Sequence, residues 1–216
     1  MTGDGRSAHK TDERLHESAV QLFALRGYSG TTTRQIAAAA GVTVGSIYNH
    51  VASKQDLLFD VMRRTHQEAL ARLDAALIRA RDPVSALRAA VRSHALFHAE
   101  QGALVAVTYQ EMGALDPRHR KAIIALRDQY GQKFKDIVRR GIKDGLFHVD
   151  EPELAVLAIL SMGIQIYTWF RPGGRDSASK VADTYGAFAL SLVGYAGDAP
   201  ARPRRSGAPL ARGRHG

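Results

Sequence analysis

Residues 31–54 read TTTRQIAAAAGVTVGSIYNHVASK and decide the fold, because they predict two short helices joined by a tight turn. Thr32 precedes Gln35 by three residues, the spacing of a capping box that begins a helix. Gly41 lies where the end of a helix favours positive φ, and Thr43 is a good N-cap for the second helix. A helix, a turn with glycine and a second helix form the helix-turn-helix arrangement, whose second helix enters the major groove of DNA.

The two predicted helices separate into an apolar inner face and a polar outer face. The inward positions are apolar and recur at helical spacing: Ile36, Ala37, Ala40, Val44, Ile47 and Val51. Ser46, Tyr48, Asn49 and His50 remain outside. Outward hydroxyl, amide and imidazole groups on a helix of about two turns favour DNA binding. The alternative is an ordinary helical hairpin buried inside a helical domain.

Composition limits the classes of protein that this chain can belong to. With 216 residues, 45% of them hydrophobic, it can form one medium domain or two small ones. No apolar run approaches the roughly eighteen residues of a membrane span, and the N-terminus lacks a signal peptide. The protein is therefore expected to be cytoplasmic, with no membrane partner. The absence of cysteine excludes disulfides, thiolate metal sites and cysteine nucleophiles.

The net charge of +9 is concentrated at the C-terminus. Residues 198–216 contain five arginines and one acid, and the five arginines account for more than half of that charge. This segment is rich in Pro, Gly and Arg, so we predict that it is a disordered basic tail. It either strengthens salt-dependent attraction to DNA phosphates or is a solvated terminus without a role.

The remainder of the chain predicts helices and no strands, so the fold class is all-α. Residues 1–10 lack periodicity and are predicted to be a disordered arm, followed by a helix from Thr11 to Gly27. Ser53 begins a helix that continues to about Ala80, long enough to bridge two domains. Three later helices are predicted to begin at N-cap signals, namely Asp82 with Pro83, Asp116 with Pro117, and Asp150 with Glu153.

Two apolar segments lie near the C-terminus. Leu154–Phe170 is apolar almost all round, which predicts burial on more than one side, and Ser177–Tyr195 has an apolar stripe. Together they carry more apolar surface than one subunit can cover. We therefore predict a homodimer that forms through these last two helices.

Residues 15–58, LHESAVQLFALRGYSGTTTRQIAAAAGVTVGSIYNHVASKQDLL, resemble the N-terminal domain of TetR-type transcriptional regulators. The shared motifs are the LF…GY…TT turn, IA…AGV, G-S-I-Y-N-H and S-K-x-x-L. Val51 departs from the family's usual phenylalanine, a change of packing more than of DNA contact. The resemblance implies a three-helix DNA-binding domain over residues 11–53 and a larger ligand-binding and dimerisation domain over residues 54–197.

The resemblance also implies which residues meet a double-stranded DNA operator. Its DNA-facing positions correspond here to Thr33, Thr43, Ser46, Tyr48, His50 and Lys54. Tyr48 and Lys54 resemble phosphate contacts, and Arg34 is another phosphate candidate. Base edges or thymine methyls are met at positions that correspond to Thr43, Val44, Gly45 and Asn49. For Tyr48 the alternative is that its ring packs under the recognition helix.

A second resemblance concerns the effector. YTWFRPGG, followed by a helix with Tyr185, is similar to a TetR branch that senses acyl-coenzyme A thioesters from fatty-acid or steroid breakdown. A pocket is expected between the bridging helix and the apolar helices after it. Its candidate lining residues are Phe97, Tyr109, Met112, Leu126, Tyr130, Met162, Ile166 and Trp169, with Arg127 and Arg171 to meet a carboxylate or phosphate. The alternatives are plain core residues and surface arginines.

Metal binding and catalysis are the remaining classes. His94 and His98 are one helical turn apart, a spacing compatible with a metal site. A third ligand, such as Glu100 or Glu111, cannot be placed from the sequence. The alternative is that the two histidines belong to a polar helix face. The chain has no GxSxG, P-loop or HExxH motif. We therefore expect no metal, no cofactor and no enzymatic activity.

The sequence thus predicts a ligand-responsive repressor. It is expected to bind a palindromic operator as a dimer and to release it when a small hydrophobic effector fills the pocket. Two alternatives stay open: an activator of the same fold, and a helical ligand-binding protein that has lost DNA recognition.

Overall fold

The computed structural model describes residues 4–197, which form ten α-helices and one 3-10 turn and contain no strand. The helices are α1 (Asp4–Arg26), α2 (Thr33–Ala40), α3 (Val44–Tyr48), α4 (Lys54–Leu77), α5 (Pro83–Glu100), α6 (Gly102–Gln110), α7 (Pro117–Lys143), α8 (Pro152–Ile164), α9 (Ile166–Trp169) and α10 (Ala178–Leu192), with the 3-10 turn Met112–Ala114 between α6 and α7. The predicted all-α class is confirmed. The predicted tail over residues 198–216 lies outside the described residues.

Helices α1 to α3 and the first half of α4 enclose one apolar core. Its fully buried members include Phe23, Ile36, Ile47 and Leu58. The predicted local signals are confirmed. Thr32 and Gln35 form the capping box, Gly41 ends α2 with a φ of 64°, and Thr43 caps α3. Because Ile47 is anchored in this core, the opposite side of the short helix α3 is held outward.

Helix α1 begins at Asp4, whereas residues 1–10 were predicted to form a disordered arm. In the added turns, His9 lies 3.1 Å from Glu13 one turn later. Just after them, Asp12 accepts a hydrogen bond of 2.7 Å from Arg64 on α4. These pairs give the N-terminal turns helical and tertiary contacts that hydrophobic periodicity does not reveal.

Helix α4 joins the two halves of the chain, as predicted. Ser53 caps it, and its 24 residues span about 36 Å. Leu58 near its start is buried in the first core, and Leu73 near its end is buried in a second core formed with α5, α7, α8 and α10. The helix therefore contributes to both cores.

The predicted single helix Leu154–Phe170 is divided in the structure. Helix α8 ends at Ile164, and Gln165 separates it from the short helix α9. The capping box predicted for Asp150 and Glu153 does not form, since Glu151 occupies the N-cap without a side-chain hydrogen bond and Pro152 follows it. Proline at the first helical position supplies a start signal of its own.

Burial on more than one side is predicted for this segment, and within one protomer part of its apolar surface remains exposed. Leu154 is 61% exposed and Leu157 60%, while Phe188 and Leu192 on the neighbouring α10 are 51% and 41% exposed. By length and composition Pro152–Trp169 just meets the requirement for a membrane span, with a mean hydropathy of 1.2, contrary to our expectation that no run approaches that length. Its division into two helices and the adjoining apolar face on α10 favour a protein contact instead.

Candidate DNA-binding surface and ligand cavity

The recognition helix is shorter than predicted, since α3 contains five residues instead of about two turns. The Thr43 hydroxyl accepts from the Ser46 amide at 3.2 Å and lies 3.2 Å from the Ser46 hydroxyl. Gly45 within the helix, and Asn49 and His50 at its C-terminal end, are exposed. With Ile47 buried beneath them, these residues are presented on one outward surface.

The structure places most of the predicted DNA-facing residues on this surface. Tyr48 is 53% exposed, which favours contact with DNA over packing beneath the helix. Val44 is half-buried and packs against the core. At the start of α2, Thr33 is half-buried, whereas Arg34 is exposed and has no ion-pair partner among residues 4–197. Arg34 is therefore available to a phosphate.

Lys54, for which the resemblance implies a phosphate contact, has partners within its own protomer. Its ammonium donates to the carbonyl oxygens of Tyr28 at 2.9 Å and Thr31 at 2.8 Å, and it lies 4.0 Å from the centroid of the Tyr28 ring. The sequence spacing could not reveal these partners, because they lie more than twenty residues away in the chain. The ammonium fastens the start of α4 to the loop before α2.

A cavity of about 220 Å³ lies between α4, α5, α6, α7 and α8. Four predicted ligand residues line it, namely Phe97, Tyr109, Arg127 and Tyr130. The lining residues that the sequence did not suggest as ligand contacts are Thr65, His66, Ala69, His94, His98, Val105, Thr108, Leu157, Leu160, Ser161 and Ile164. The expected position of the pocket, between the bridging helix and the helices after it, agrees with this geometry.

Six predicted ligand residues do not line the cavity. Met112 and Leu126 pack against the N-terminal core, and Ile166 is buried in a separate cluster with α5 and α10. Trp169 is exposed, and Arg171 donates to the carbonyl oxygens of Thr168 and Phe170. Met162 is half-buried elsewhere on α8. Ile166, Trp169 and Arg171 all follow the break at Gln165, and the cavity lining ends at Ile164.

His94 has a structural role that accounts for both of its nitrogens. Its Nε2–H donates to the carbonyl oxygen of Leu160 at 3.0 Å, and its Nδ1 accepts from the Tyr130 hydroxyl at 3.0 Å. Burial holds the pKa of His94 well below its usual value, and repulsion from His98 adds to the effect. Among the described residues no group of three potential metal ligands converges. The spacing with His98 therefore reflects two cavity-wall imidazoles.

His66 and His98 are held in the same way as each other. The Nδ1 of each ring lies 2.8 Å from the carbonyl oxygen four residues earlier, Met62 for His66 and His94 for His98. Burial lowers the pKa of His98 to about 4 and also lowers the pKa of His66. Both imidazoles are consequently neutral near pH 7.

Arg127 is the cationic residue of the cavity wall. Its guanidinium lies 5.0 Å from the centroid of the Tyr109 ring, and it has no carboxylate partner within residues 4–197. Half-buried charges normally find a partner, because desolvation without one is costly. Among the described residues the guanidinium therefore has no acceptor of its own and remains available to one.

The cavity is connected to the DNA-binding half through the turn between α6 and α7. The Gln55 side chain donates to the carbonyl oxygen of Ala114 and accepts from the Asp116 amide at 3.3 Å. His119 stacks on Phe59 with a centroid distance of 4.2 Å. The turn and the start of α7 therefore contact the first two turns of α4. Cavity-lining residues flank the turn on both sides, on α6 and on α7.

Two protein-family models match the chain. Residues 15–61 match the model described as bacterial regulatory proteins, tetR family. Residues 80–193 match the tetracyclin repressor-like C-terminal domain. A curated relative is the HTH-type transcriptional repressor KstR2 of Rhodococcus jostii (strain RHA1), 30% identical over 192 residues that cover 88% of this chain and 91% of the relative.

Solved structures share the fold over nearly their whole length. A bacterial regulatory protein in the tetR family from Rhodococcus RHA1 is 32% identical with a TM-score of 0.82, and the alignment covers 87% of this chain and 98% of that one. AibR in complex with isovaleryl coenzyme A and operator DNA is 27% identical with a TM-score of 0.75, covering 86% and 99%. The family predicted from the helix-turn-helix stretch is thus confirmed.

Proposed function

The chain belongs to the TetR family and is a transcriptional repressor rather than an enzyme; we propose that it acts in the cytoplasm as a homodimer that releases a palindromic operator when it binds an acyl-coenzyme A thioester. DNA binding occurs through the helix-turn-helix domain. The thioester and the dimer are the parts that need support from the chain's own residues.

The exposed apolar face of α8 and α10 supports the dimer. Leu154, Leu157, Phe188 and Leu192 are all at least 41% exposed, and contiguous apolar surface of this kind marks protein contacts. A recognition helix of five residues reads few base pairs. Two copies about 34 Å apart would meet successive major grooves, and a palindromic site presents its half-sites in that way.

The unpaired Arg127 is the single observation that carries the effector class. An acyl group suits the apolar wall formed by Phe97, Leu160 and Ile164, and its thioester carbonyl would accept from the guanidinium. Pockets that enclose a whole drug-sized ligand measure roughly 300–1,000 Å³. The cavity, at about 220 Å³, is large enough for the acyl part, while the nucleotide part would project outward. The similarity to AibR, solved with isovaleryl coenzyme A, favours the same class.

The proposed mechanism is a shift between two domain arrangements. The ligand must favour one arrangement by its differential affinity, since equal affinity for both would change nothing. Movement of α6 or α7 around a bound acyl group would displace the turn that grips Gln55 and Phe59. The start of α4 would follow and alter the spacing of the two recognition helices.

Fluorescence anisotropy with the full chain and a labelled fragment of its own upstream DNA tests the proposal. Isovaleryl-coenzyme A and longer acyl thioesters should release the DNA, whereas free coenzyme A should not. Arg127→Leu should keep operator affinity and lose most of the response to the thioester. Operator affinity that no acyl thioester changes, at any chain length, would rule out this effector class.

A further inference from the structure

The polar atoms of the cavity wall are mostly hydrogen-bond acceptors. His66 and His98 each lie with Nδ1 against a backbone carbonyl oxygen, at 2.8 Å in both cases. A carbonyl oxygen only accepts, so Nδ1 must carry the proton in each neutral ring. The Nε2 atoms are left with a lone pair, and neither has a partner within the described part of the chain.

The hydroxyls of both threonines and of Tyr130 also donate to protein acceptors, whereas the Ser161 hydroxyl has no such bond among the described residues. Thr65 donates to the carbonyl oxygen of Val61 at 2.7 Å, and Thr108 donates to that of Leu104 at 2.8 Å. The Tyr130 hydroxyl donates to His94 Nδ1, because His94 has its own proton on Nε2. Each of these oxygens can still accept. The Tyr109 hydroxyl can serve in either direction.

Burial keeps this arrangement in place near neutral pH. His66, His98, Thr65 and Thr108 are each less than 10% exposed. Protonation of the imidazoles is opposed by burial and, for His66, by the charge of Arg127 as well. A ligand that leaves such acceptors unpaired loses affinity, because the acceptors lose their hydrogen bonds to water and gain none in return.

We propose that the effector carries a hydroxyl on its buried acyl part, which donates to Nε2 of His66 or His98 while its carbonyl or carboxylate group accepts from Arg127. The preferred ligand is thus a hydroxyacyl group, and the plain saturated chain of the same length is the poorer one. This inference rests on the proposed function for the site and extends it to the substituent on the acyl chain.

The size of the cavity favours a hydroxyl over the amide groups of the coenzyme. A volume of about 220 Å³ corresponds to roughly seven waters at ~30 Å³ each, so a short acyl chain fills it. The coenzyme's amides would lie beyond the thioester, away from the histidines. A metal ion is a weaker occupant, since two imidazoles supply fewer ligands than the three or four of protein zinc sites.

Two measurements on the full chain test the inference. Long-range ¹H–¹⁵N spectra of the imidazoles report the tautomer, and His66 and His98 should both have the proton on Nδ1. Calorimetric titration then compares valerate with 3-, 4- and 5-hydroxyvalerate. At least one hydroxy acid should bind about fivefold to tenfold more tightly than valerate, the value of one neutral hydrogen bond.

Variants connect the preference to the histidines. His98→Phe and His66→Phe keep an aromatic ring without the acceptor, and at least one should reduce the hydroxyl preference to less than twofold. His148→Phe, the same change at an exposed histidine that does not line the cavity, should leave it unchanged. Protons on Nε2 in both rings, equal binding of all four acids, or binding by none would each overturn the inference. A hydroxy-acid preference without DNA release by any thioester would overturn only the proposed effector class.

Discussion

The Lys54 ammonium lies 2.8 Å from the carbonyl oxygen of Thr31 and thereby ties the first residue of α4 to the loop that precedes α2. The bond joins the N-terminal end of the bridging helix to the DNA-binding domain, so a tilt of α4 would move that domain. We therefore expect Lys54 to orient the recognition helix, a contribution that differs in kind from that of a side chain bound to phosphate.

Salt dependence should separate these two roles. Lys54→Met is expected to weaken operator binding while the slope of log affinity against log salt stays within experimental error. Arg34→Gln should weaken binding and reduce the slope by about 1.8 for the proposed dimer, or about 0.9 for one phosphate contact in each subunit. The measurement is anisotropy over a series of salt concentrations. A reduced slope in Lys54→Met would show that the lysine leaves Thr31 to bind DNA.

The capping box at the start of α2 should contribute measurably to stability. Thr32→Ala removes the hydroxyl that accepts from the Gln35 amide at 3.2 Å, and we expect a loss of about 1 kcal/mol in the free energy of unfolding. Thr32→Ser keeps the acceptor and should retain most of that stability. Urea denaturation of both variants gives the comparison, and equal losses would contradict the cap's contribution.

Close packing of α5 on α8 makes Gly163 sensitive to substitution. A Cβ at this position would overlap the imidazole of His94, so Gly163→Ala should destabilise the protein by about 1–3 kcal/mol. Gly131→Ala is the matched control, because its Cβ would meet only Leu160 at 3.9 Å, and alanine is the better helix former. Thermal unfolding should give Gly163→Ala a lower melting temperature than the parent protein, and Gly131→Ala an equal or higher one.

Stability should fall as the pH is lowered. The pKa of His98 is about 4 in the folded protein and 6.5 in an unfolded chain, so the unfolded state binds the proton first. The stability present above pH 6.5 is then lost as the pH falls towards 4, by about 2 kcal/mol at pH 5 from His98 alone. Denaturant titrations at pH 7.5 and 5.0 measure the loss. His98→Phe should reduce it, and an equal loss in that variant would assign the effect to other groups.

Dimer formation should depend on the apolar face of α8 and α10. Phe188→Asp places a charge where 51% of the residue is exposed in one protomer, and we expect at least a hundredfold weaker self-association. Ile78→Asp changes a residue that is 82% exposed elsewhere and should not alter self-association. Sedimentation equilibrium over a concentration series distinguishes them. Identical behaviour of the two variants would place the interface elsewhere.

Local signals predicted the DNA-binding half well because its caps and turns lie within a few residues of each other. The Thr32 box, Gly41 and the Thr43 cap depend on spacing alone, and the structure contains all three. The partners of Lys54 come from a loop more than twenty residues away. No local pattern specifies that contact.

The cavity was less predictable because it depends on how helices pack. Tyr109, Arg127 and Tyr130 could be selected as residues with suitable chemistry, but Trp169 and Arg171 were misplaced by the break at Gln165. The spacing of His94 and His98 is compatible with a metal site but does not specify one. Only the positions of the carbonyl oxygens reveal the tautomers that these rings adopt.

Helices α5 and α8 are in close contact where Gly163 packs against the His94 ring, with no room for a Cβ between them. Leu160 and Ile164 of α8 line the cavity, and Leu154, one turn before the cavity residue Leu157, is exposed to the proposed partner subunit. A helix held this tightly moves as a unit with the wall behind it. The two cavities of a dimer would then sense each other's occupancy, so the effector titration should be sigmoidal, with a Hill coefficient above one.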